Sequence, residues 1–299
     1  MTVQDAYPLF LAHGRAERQY ARETLTKLQD CFRSWILPHL GERPVTDISR
    51  LDILTFRGRM TDAQLGTNRQ YSILMMLKLF LKFCRQVLAL NCLDPNEIRL
   101  PQRPKPHVHY LTGEEVAQVR DAIPITTFTG LRLRLLIEVL LNTGLRISEA
   151  LALDRTPFEE GKVELDVVGK GGKTRRVFFP NETLAWIKKF LYYRTDSCPA
   201  LFVTTGLPRR LDRSDISKFF KALRQKAGIG KPLTPHILRH TYCTNLLQNG
   251  ADITYIKELA GHSDIQTTAK YYLGVDRGAL RNVVDKYLNY SLPKSPSVP

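Results

Sequence analysis

The 299-residue sequence has no apolar run that approaches the roughly 20 residues a membrane-spanning helix needs. Its first residues also lack the basic segment followed by an apolar one that marks a secretory signal. The five cysteines are scattered and form no C-x-x-C pair, which argues against a disulfide framework or a cysteine-based zinc site. These absences predict a cytoplasmic protein without a membrane segment, in which reduced thiols fill core space.

The sequence contains parts of two common cofactor-binding motifs, but neither motif is complete. His236 and His240 have the spacing of a zinc pair, but neither the glutamate of H-E-x-x-H nor an obvious third ligand accompanies them. The glycine-rich segment 169–173 lacks the spacing of a nucleotide-binding G-x-x-x-x-G-K-[ST] loop. We therefore expect neither a metal nor a cofactor.

Acidic residues are few relative to basic ones. The chain has 44 Lys and Arg against 29 Asp and Glu, a formal net charge of +15, and the excess is spread over both halves. A basic protein with a solvated cationic surface would have this composition. Two positive halves also suit a protein that encloses a polyanion such as DNA.

A proline-rich stretch divides the chain. Residues 101–110 contain prolines that resist both helix and central strand, so we predict a linker there. Residues 1–100 show helical periodicity and predict a bundle of about four helices, including helices over 18–40 and 68–90. A second domain would span 111–290, and the polar, proline-rich residues 291–299 would be a flexible tail.

The second domain predicts helices around a small sheet. Thr112 and Glu115 form a capping box, and Gly144 can end an apolar helix over 131–141. Apolar residues then alternate on both sides of the glycine-rich turn, which is typical of a β-hairpin. Further helices are expected over residues 182–194, 214–227, 235–248, 253–259, 267–273 and 279–288. The predicted fold class is mainly α with a small β-sheet (α+β).

Metal-free cleavage of a phosphodiester needs fixed cations for the phosphate oxygens, a proton donor for the leaving group and a nucleophile. Each candidate alone has an ordinary structural interpretation, such as a helix-start arginine, a solvated hairpin or a packed tyrosine. Together, in one chain, they cover every role. The candidates are Arg146, Glu149, Lys170, Lys173, His236, Arg239, His262, Tyr271 and Tyr272.

The runs TGLRISE, GKGGKTR, HILRHTYCT and LAGHSDIQTTAKYY, in this order, resemble the tyrosine recombinase (phage integrase) family, in particular its compact Xer-like members. The resemblance covers about residues 111–288. Residues 1–100 match by layout the family's helical, SAM-like core-binding domain. The resemblance implies a two-domain, C-shaped clamp around double-stranded DNA.

The resemblance also implies roles at the phosphate. Arg146 and Arg239 match the arginines that bind the scissile phosphate. Lys170 matches the hairpin lysine that protonates the departing 5′-oxygen, and Lys173 is its alternative. His236 matches the histidine that accepts the proton of the nucleophile.

Three further positions complete the family pattern. His262 matches the residue that donates a hydrogen bond to the phosphate, and Tyr271 matches the nucleophile. Tyr272 is its neighbour and stays open as the alternative nucleophile. Glu149 matches an acidic residue that orients the groups of the site.

The implied activity is site-specific DNA recombination through a 3′-phosphotyrosyl intermediate, by a homotetramer on two DNA sites. A C-terminal helix over 277–288 would dock on a neighbouring protomer or on its own domain. The residues expected to contact the DNA are Lys173, Arg209, Arg210 and Arg213, and a solvated charge run stays open as the alternative for the three arginines. Two alternatives stay open, a type IB topoisomerase-like DNA relaxing enzyme and a catalytically idle DNA-binding accessory protein.

Overall fold

The structure is a computed structural model that describes residues 1–103, 109–169 and 172–261. The chain divides into two compact units, Met1–Pro106 and His107–Pro299. The described residues are mostly helical, with one two-stranded antiparallel sheet, so the predicted fold class is confirmed. No helix among the described residues is long and apolar enough to span a membrane.

The first unit is entirely helical in its regular elements. Its α-helices are α1 (Val3–Ala16), α2 (Arg22–Cys31), α3 (Leu37–Leu40), α4 (Arg50–Asp62) and α5 (Thr67–Gln86), with a π-helical turn at Phe32–Ile36 and 3₁₀ turns at Val45–Asp47 and Pro95–Glu97. Aromatic rings of α1, the π turn and α5 meet in the core, where Phe10, Phe32 and Phe80 are almost fully buried. The apolar stripe over 68–90 is therefore a core face, as expected.

The single helix predicted over 18–40 is wrong in its interior. The helix is interrupted at the π turn, where the N–H of Leu37 donates to the carbonyl of Phe32, five residues back. Pro38 follows Leu37 and has no N–H to donate, so the regular i to i−4 hydrogen-bond pattern cannot continue through it. The chain also starts α2 only at Arg22, after Gln19 takes a positive φ of 47°.

The second unit surrounds its small sheet with helices. Its elements are α6 (Gly113–Asp121), α7 (Phe128–Thr143), α8 (Ile147–Ala152), α9 (Thr156–Glu159), β1 (Glu164–Val168), β2 (Thr174–Phe178), α10 (Asn181–Tyr192), α11 (Arg213–Lys226), α12 (Pro235–Gln248) and α13 (Ile253–Ala260). The capping box of Thr112 and Glu115 and the hairpin are confirmed. The start of α8 after Arg146 agrees with the helix-start interpretation of that residue, whereas the short α9 was not predicted. The helices predicted beyond residue 261 lie outside the described residues.

Helix α7 forms the centre of this unit and packs against α10 and α12. Its residues Leu135, Ile137 and Leu140 are fully buried. The helix ends at Gly144, whose φ of 61° is the left-handed conformation that glycine adopts without strain. A Cβ at this position would overlap the ring of Tyr242 on α12, so glycine is required both by its φ and by this close approach.

The cysteines are free thiols, as predicted. Cys31, Cys84, Cys92 and Cys243 are buried, and Cys198 is half-buried. Burial raises the pKa of the Cys84 thiol to about 12 and that of Cys243 to about 11. These thiols are protonated at neutral pH and serve as core side chains.

Candidate active site

Arg146 stands at the start of α8, immediately after the tight turn that ends α7. Its backbone N–H donates to Oε2 of Glu149 at 2.8 Å, and its Nη1 donates to Oε1 of the same carboxylate at 2.9 Å. The ordinary interpretation of this arginine, a helix-start residue paired with its i+3 glutamate, is thus realised. The pair leaves Nη2 to donate to the carbonyl of Gly261 at 2.7 Å, more than a hundred residues along the chain.

Arg239, on α12, also contacts the segment that ends at Gly261. This helix begins after Thr234, whose hydroxyl caps it, with Pro235 in the first turn, and so His236 and Arg239 occupy one face. Arg239 is only 4% exposed, and its guanidinium donates to the carbonyls of Gly144 and Ala260. Burial and then the positive charge of Arg146 lower the pKa of Arg239 to about 10, which leaves it charged at neutral pH.

The C-terminal end of α13 gathers three arginines. The last carbonyls of a helix have no partner inside it and form the negative end of its dipole. Here the carbonyl of Leu259 accepts from Arg175, that of Ala260 from Arg239 and that of Gly261 from Arg146. Residue 262 therefore follows directly on the segment that contacts all three guanidinium groups.

Arg175 on β2 was not among the predicted site residues. It donates from Nη1 to Glu149 Oε1 at 3.0 Å and from Nη2 to Oε2 at 2.7 Å. A signal was available in the alternation of the strand, because Arg175 shares a face with the buried Val177 and pairs across the hairpin with the buried Val167. An arginine on the buried face of a strand needs a fixed partner for its charge.

Glu149 is the carboxylate that Arg146 and Arg175 share. Burial by itself raises the pKa of Glu149, but the hydrogen bonds from Arg175, followed by that from the Arg146 backbone, outweigh burial and lower the pKa to about 2. Glu149 is therefore ionised at neutral pH although it is only 6% exposed. The carboxylate draws two like-charged side chains together and fixes their directions.

His236 is neutral at neutral pH. Burial lowers its pKa below the ordinary 6.5, and the charges of Arg239, Arg213 and Arg146 lower it further. A neutral imidazole has a free lone pair that can accept a proton. The neighbouring His240 is shifted in the same direction, to a pKa of about 4, mainly by burial. Among the described residues, no group of three His, Cys, Asp or Glu side chains could hold a metal ion.

The two predicted hairpin lysines, Lys170 and Lys173, lie in the sequence between β1 and β2. Gly169 closes the hairpin by donating to the carbonyl of Lys173 at 2.8 Å, and a Cβ built on Gly169 would lie 3.5 Å from Glu149 Oε1. Lys173 is exposed. The residue before Lys170 therefore lies beside the arginine cluster, whereas Lys170 itself lies outside the described residues, as do the remaining predicted site residues His262, Tyr271 and Tyr272.

The three arginines predicted to contact DNA have different surroundings. Arg210 donates to the carbonyls of Leu151 and Leu153 and to Asp154, so it stabilises the unit internally. Arg209 is exposed and pairs with the N-cap carboxylate of α11, Asp212, and with Asp215 in its first turn. Arg213, also exposed, starts that helix, and its charge acts on the pKa of His236.

Comparison with known proteins gives one consistent result. Residues 109–277 match the model of the phage integrase family. The chain is 32% identical over 249 residues to tyrosine recombinase XerD of Oceanobacillus iheyensis, which covers 80% of this chain and 82% of the relative. It is 36% identical over 200 residues to tyrosine recombinase XerA of Pyrococcus furiosus, which covers 64% of this chain and 66% of the relative.

Solved structures show the same fold. The Tn1549 transposon integrase in complex with circular intermediate DNA aligns with a TM-score of 0.77 and 21% identity, over 94% of this chain and 98% of that one. The match spans nearly the whole of both chains, so it includes the helical first unit as well as the unit that carries the arginine cluster.

Proposed function

The chain belongs to the phage integrase family and is a site-specific tyrosine recombinase, and on this premise we propose that Tyr271 is the residue that cuts and holds the DNA. The Tyr271 oxygen attacks the scissile phosphorus and forms a 3′-phosphotyrosyl bond while the bond from phosphorus to the 5′-oxygen breaks. His236 takes the tyrosine proton and Lys170 protonates the departing 5′-oxygen. The 5′-hydroxyl of a partner strand then reverses the same steps and rejoins the DNA.

Arg146 and Arg239 bind the non-bridging oxygens of the scissile phosphate in this proposal. A guanidinium has five N–H groups, and the described contacts use two of those in the Arg239 side chain and two in that of Arg146. The remaining donors can meet the negative charge that grows on the phosphate in the transition state. His262 adds a further hydrogen bond. The observation that carries the proposal is the meeting of both arginines at the carbonyl end of α13, directly before residue 262.

Neutral His236 supports its assigned role. A general base must be unprotonated at the working pH, and the lowered pKa of His236 provides this without a metal. Two of the three cations that lower the pKa of His236, Arg239 and Arg146, are the ones that would bind the scissile phosphate. The energy of the cleaved phosphodiester is retained in the phosphotyrosyl bond, so rejoining needs no nucleotide cofactor.

The whole protein is proposed to act as a clamp. Residues 1–100 would form the core-binding domain, residues 101–110 the linker, residues 111–290 the catalytic domain and residues 291–299 a tail. The two domains would form a C-shaped clamp around double-stranded DNA in a cytoplasmic homotetramer that joins two sites, with residues 277–288 docking on a neighbouring protomer. Arg213, Arg209 and Lys173 supply candidate contacts to the DNA backbone, and DNA affinity should fall steeply with salt.

Covalent trapping tests the assignment. A duplex selected by binding from a random-sequence library is nicked on the 3′ side of the cut, so that the short fragment with the newly formed 5′-hydroxyl diffuses away after cleavage. In EDTA the parent protein should become covalently linked to the DNA, and Tyr271→Phe should abolish the product without loss of DNA binding. Tyr272→Phe is the matched control and should retain trapping. Trapping lost in Tyr272→Phe but kept in Tyr271→Phe would move the nucleophile by one residue.

Supercoil relaxation separates this proposal from the topoisomerase-like alternative. The parent protein should leave a supercoiled plasmid without the selected site unchanged and should recombine a plasmid that carries two copies of it. Relaxation of the plasmid without a site at a comparable rate would favour the alternative.

A further inference from the structure

Arg175 joins three parts of the catalytic unit that are far apart in the chain. It lies on β2 close to the hairpin turn, contacts Glu149 on α8 and donates from Nε to the carbonyl of Leu259 on α13 at 3.1 Å. Its side chain is 10% exposed. A Cβ built on Gly261 would come within 2.9 Å of the Arg175 Cδ, so the arginine stem packs directly under the end of α13.

The contacts of Arg175 leave fewer donors for a phosphate than those of Arg146 and Arg239. All three of its guanidinium nitrogens donate to protein acceptors, two to one carboxylate and one to a helix-end carbonyl. A bidentate arginine–carboxylate pair fixes the plane and the direction of the carboxylate. Arg175 therefore sets the orientation of Glu149, and Glu149 in turn receives both the backbone N–H and the Nη1 of Arg146.

Charge leads to the same assignment. Glu149 carries one negative charge that is divided between Arg146 and Arg175. If Arg175 were neutral, the whole carboxylate charge would face Arg146 and reduce the positive potential that Arg146 offers to a phosphate. Arg175 thus preserves the positive potential that Arg146 offers to a phosphate and also fixes the orientation of Arg146.

We propose that Arg175 is a positioning residue for DNA cleavage, which acts through Glu149 to direct Arg146 toward the scissile phosphate without itself contacting the DNA. This inference rests on the proposed function, in which Arg146 binds that phosphate. The same side chain ties the end of α13, and hence the start of the segment that contains His262 and Tyr271, to the strand that follows Lys170.

The test measures single-turnover cleavage of the nicked duplex at saturating protein, together with the Kd for the intact duplex. Arg175→Gln should slow cleavage by about 10- to 100-fold, the effect typical of losing a residue that orients a ligating group, while the Kd changes by less than about threefold. Arg175→Lys, which keeps the charge but loses the two-pronged geometry, should recover part of the rate and decides the question if the glutamine variant does not fold.

Arg176→Gln is the matched control. Arg176 is the next residue on β2, faces the opposite side, is 55% exposed and pairs with Glu164 and Asp166. It carries the same charge on the same strand, so its loss should leave the cleavage rate at the parent level. An equal loss in both variants would attribute the effect to net charge and would overturn the inference.

Two further measurements identify the route of the effect. The double variant Glu149→Gln/Arg175→Gln should cleave about as slowly as the slower single variant, because both changes break one chain of contacts. If the rate losses of the two single variants multiplied in the double variant, the two residues would have independent roles.

A duplex with sulfur in place of the bridging 5′-oxygen has a leaving group that needs no protonation. It should not rescue Arg175→Gln. Rescue to the parent rate would assign Arg175 to the leaving-group lysine and refute its action through Arg146.

The result for the parent protein distinguishes a failure of the proposed function from a failure of the role of Arg175. If the parent forms no covalent product, the proposed function itself fails. If the parent traps DNA and folded Arg175→Gln traps it at the same rate, only the inference on Arg175 fails.

Discussion

Replacement of Glu149 by glutamine should strongly destabilise the catalytic unit. The carboxylate is buried and accepts hydrogen bonds from Arg175, from the Arg146 side chain and from the Arg146 backbone. Glutamine has nearly the same shape, but it carries no charge, and its amide NH₂ would face arginine donors. Two guanidinium groups would then remain close together in a largely buried place without their common counter-charge.

The size of the effect follows from the pKa. The folded protein lowers the pKa of Glu149 from 4.5 to about 2, which corresponds to roughly 3 kcal/mol because one pKa unit is about 1.4 kcal/mol. Removal of one partner from a buried ion pair typically costs about 3–5 kcal/mol, in agreement with this value. For a unit of this size, a loss of about 3 kcal/mol lowers the transition temperature by roughly 6–12 °C.

Tryptophan fluorescence can measure this in the full chain. The sequence has two tryptophans, Trp35 in the first unit and Trp186 on α10 in the second. In a Trp35→Phe background the emission of Trp186 reports the unfolding of the catalytic unit alone. Asp166→Asn serves as the control, because Asp166 is an exposed carboxylate on β1 that pairs with Arg176, and exposed pairs contribute little.

The pH dependence provides an internal check. A carboxylate whose pKa is lowered on folding stabilises the protein fully above its unfolded pKa and loses this contribution as the pH falls toward the folded pKa. The difference between the parent and Glu149→Gln should therefore be largest at neutral pH and shrink between about pH 4.5 and pH 2. If Glu149→Gln unfolded within about 2 °C of the parent at pH 7, the shared carboxylate would not stabilise the catalytic unit as argued.

Three other predictions concern the turn, the base and the DNA-binding arginines. Gly144→Ala should cost at least roughly 2 kcal/mol more than Gly161→Ala in unfolding experiments, because both residues have a positive φ but only a Cβ at 144 would overlap Tyr242; equal losses would contradict the steric argument. In the DNA-free protein, an NMR titration should give His236 a pKa below 6.5, and stability should fall as the pH drops below 6.5, where the unfolded chain binds the proton first; a pKa above 6.5 would contradict this. Arg210→Ala should lower the transition temperature without weakening DNA binding, since its guanidinium binds carbonyls at and after the end of α8; a large increase in Kd in a stable variant would show a DNA contact instead.

Local signals in the sequence were sufficient for the elements that present the site. Helix α12 begins and ends as predicted, at Pro235 and Gln248, because a threonine cap, an N-terminal proline and a following glycine act within a few residues. The turn at Gly144 and the hairpin were predicted for the same reason. The sequence alone therefore assigns Arg146 to a helix end and Arg239 to a helix face.

Long-range partners could not be obtained in this way. Glu149 and Arg175 are separated by 26 residues, and Arg175 and Leu259 by 84, so no pattern within one element relates them. The alternation of β2 indicated only that Arg175 faces inward. The π turn before Pro38 shows the complementary failure, since an apolar periodicity continued across a residue that cannot donate a backbone hydrogen bond.

The arginine cluster explains why this site should gain stability from a phosphate. Burial and the charge of Arg146 lower the pKa of Arg239 to about 10, so the folded protein retains mutual repulsion that one carboxylate and three helix-end carbonyls only partly offset. A bound phosphodiester would add a negative charge where repulsion is greatest. The catalytic unit should therefore unfold at a higher temperature with saturating duplex DNA, and Tyr271→Phe should keep this gain because it removes no cation. Arg239→Gln should lose most of it; an undiminished gain in that variant would place the phosphate elsewhere.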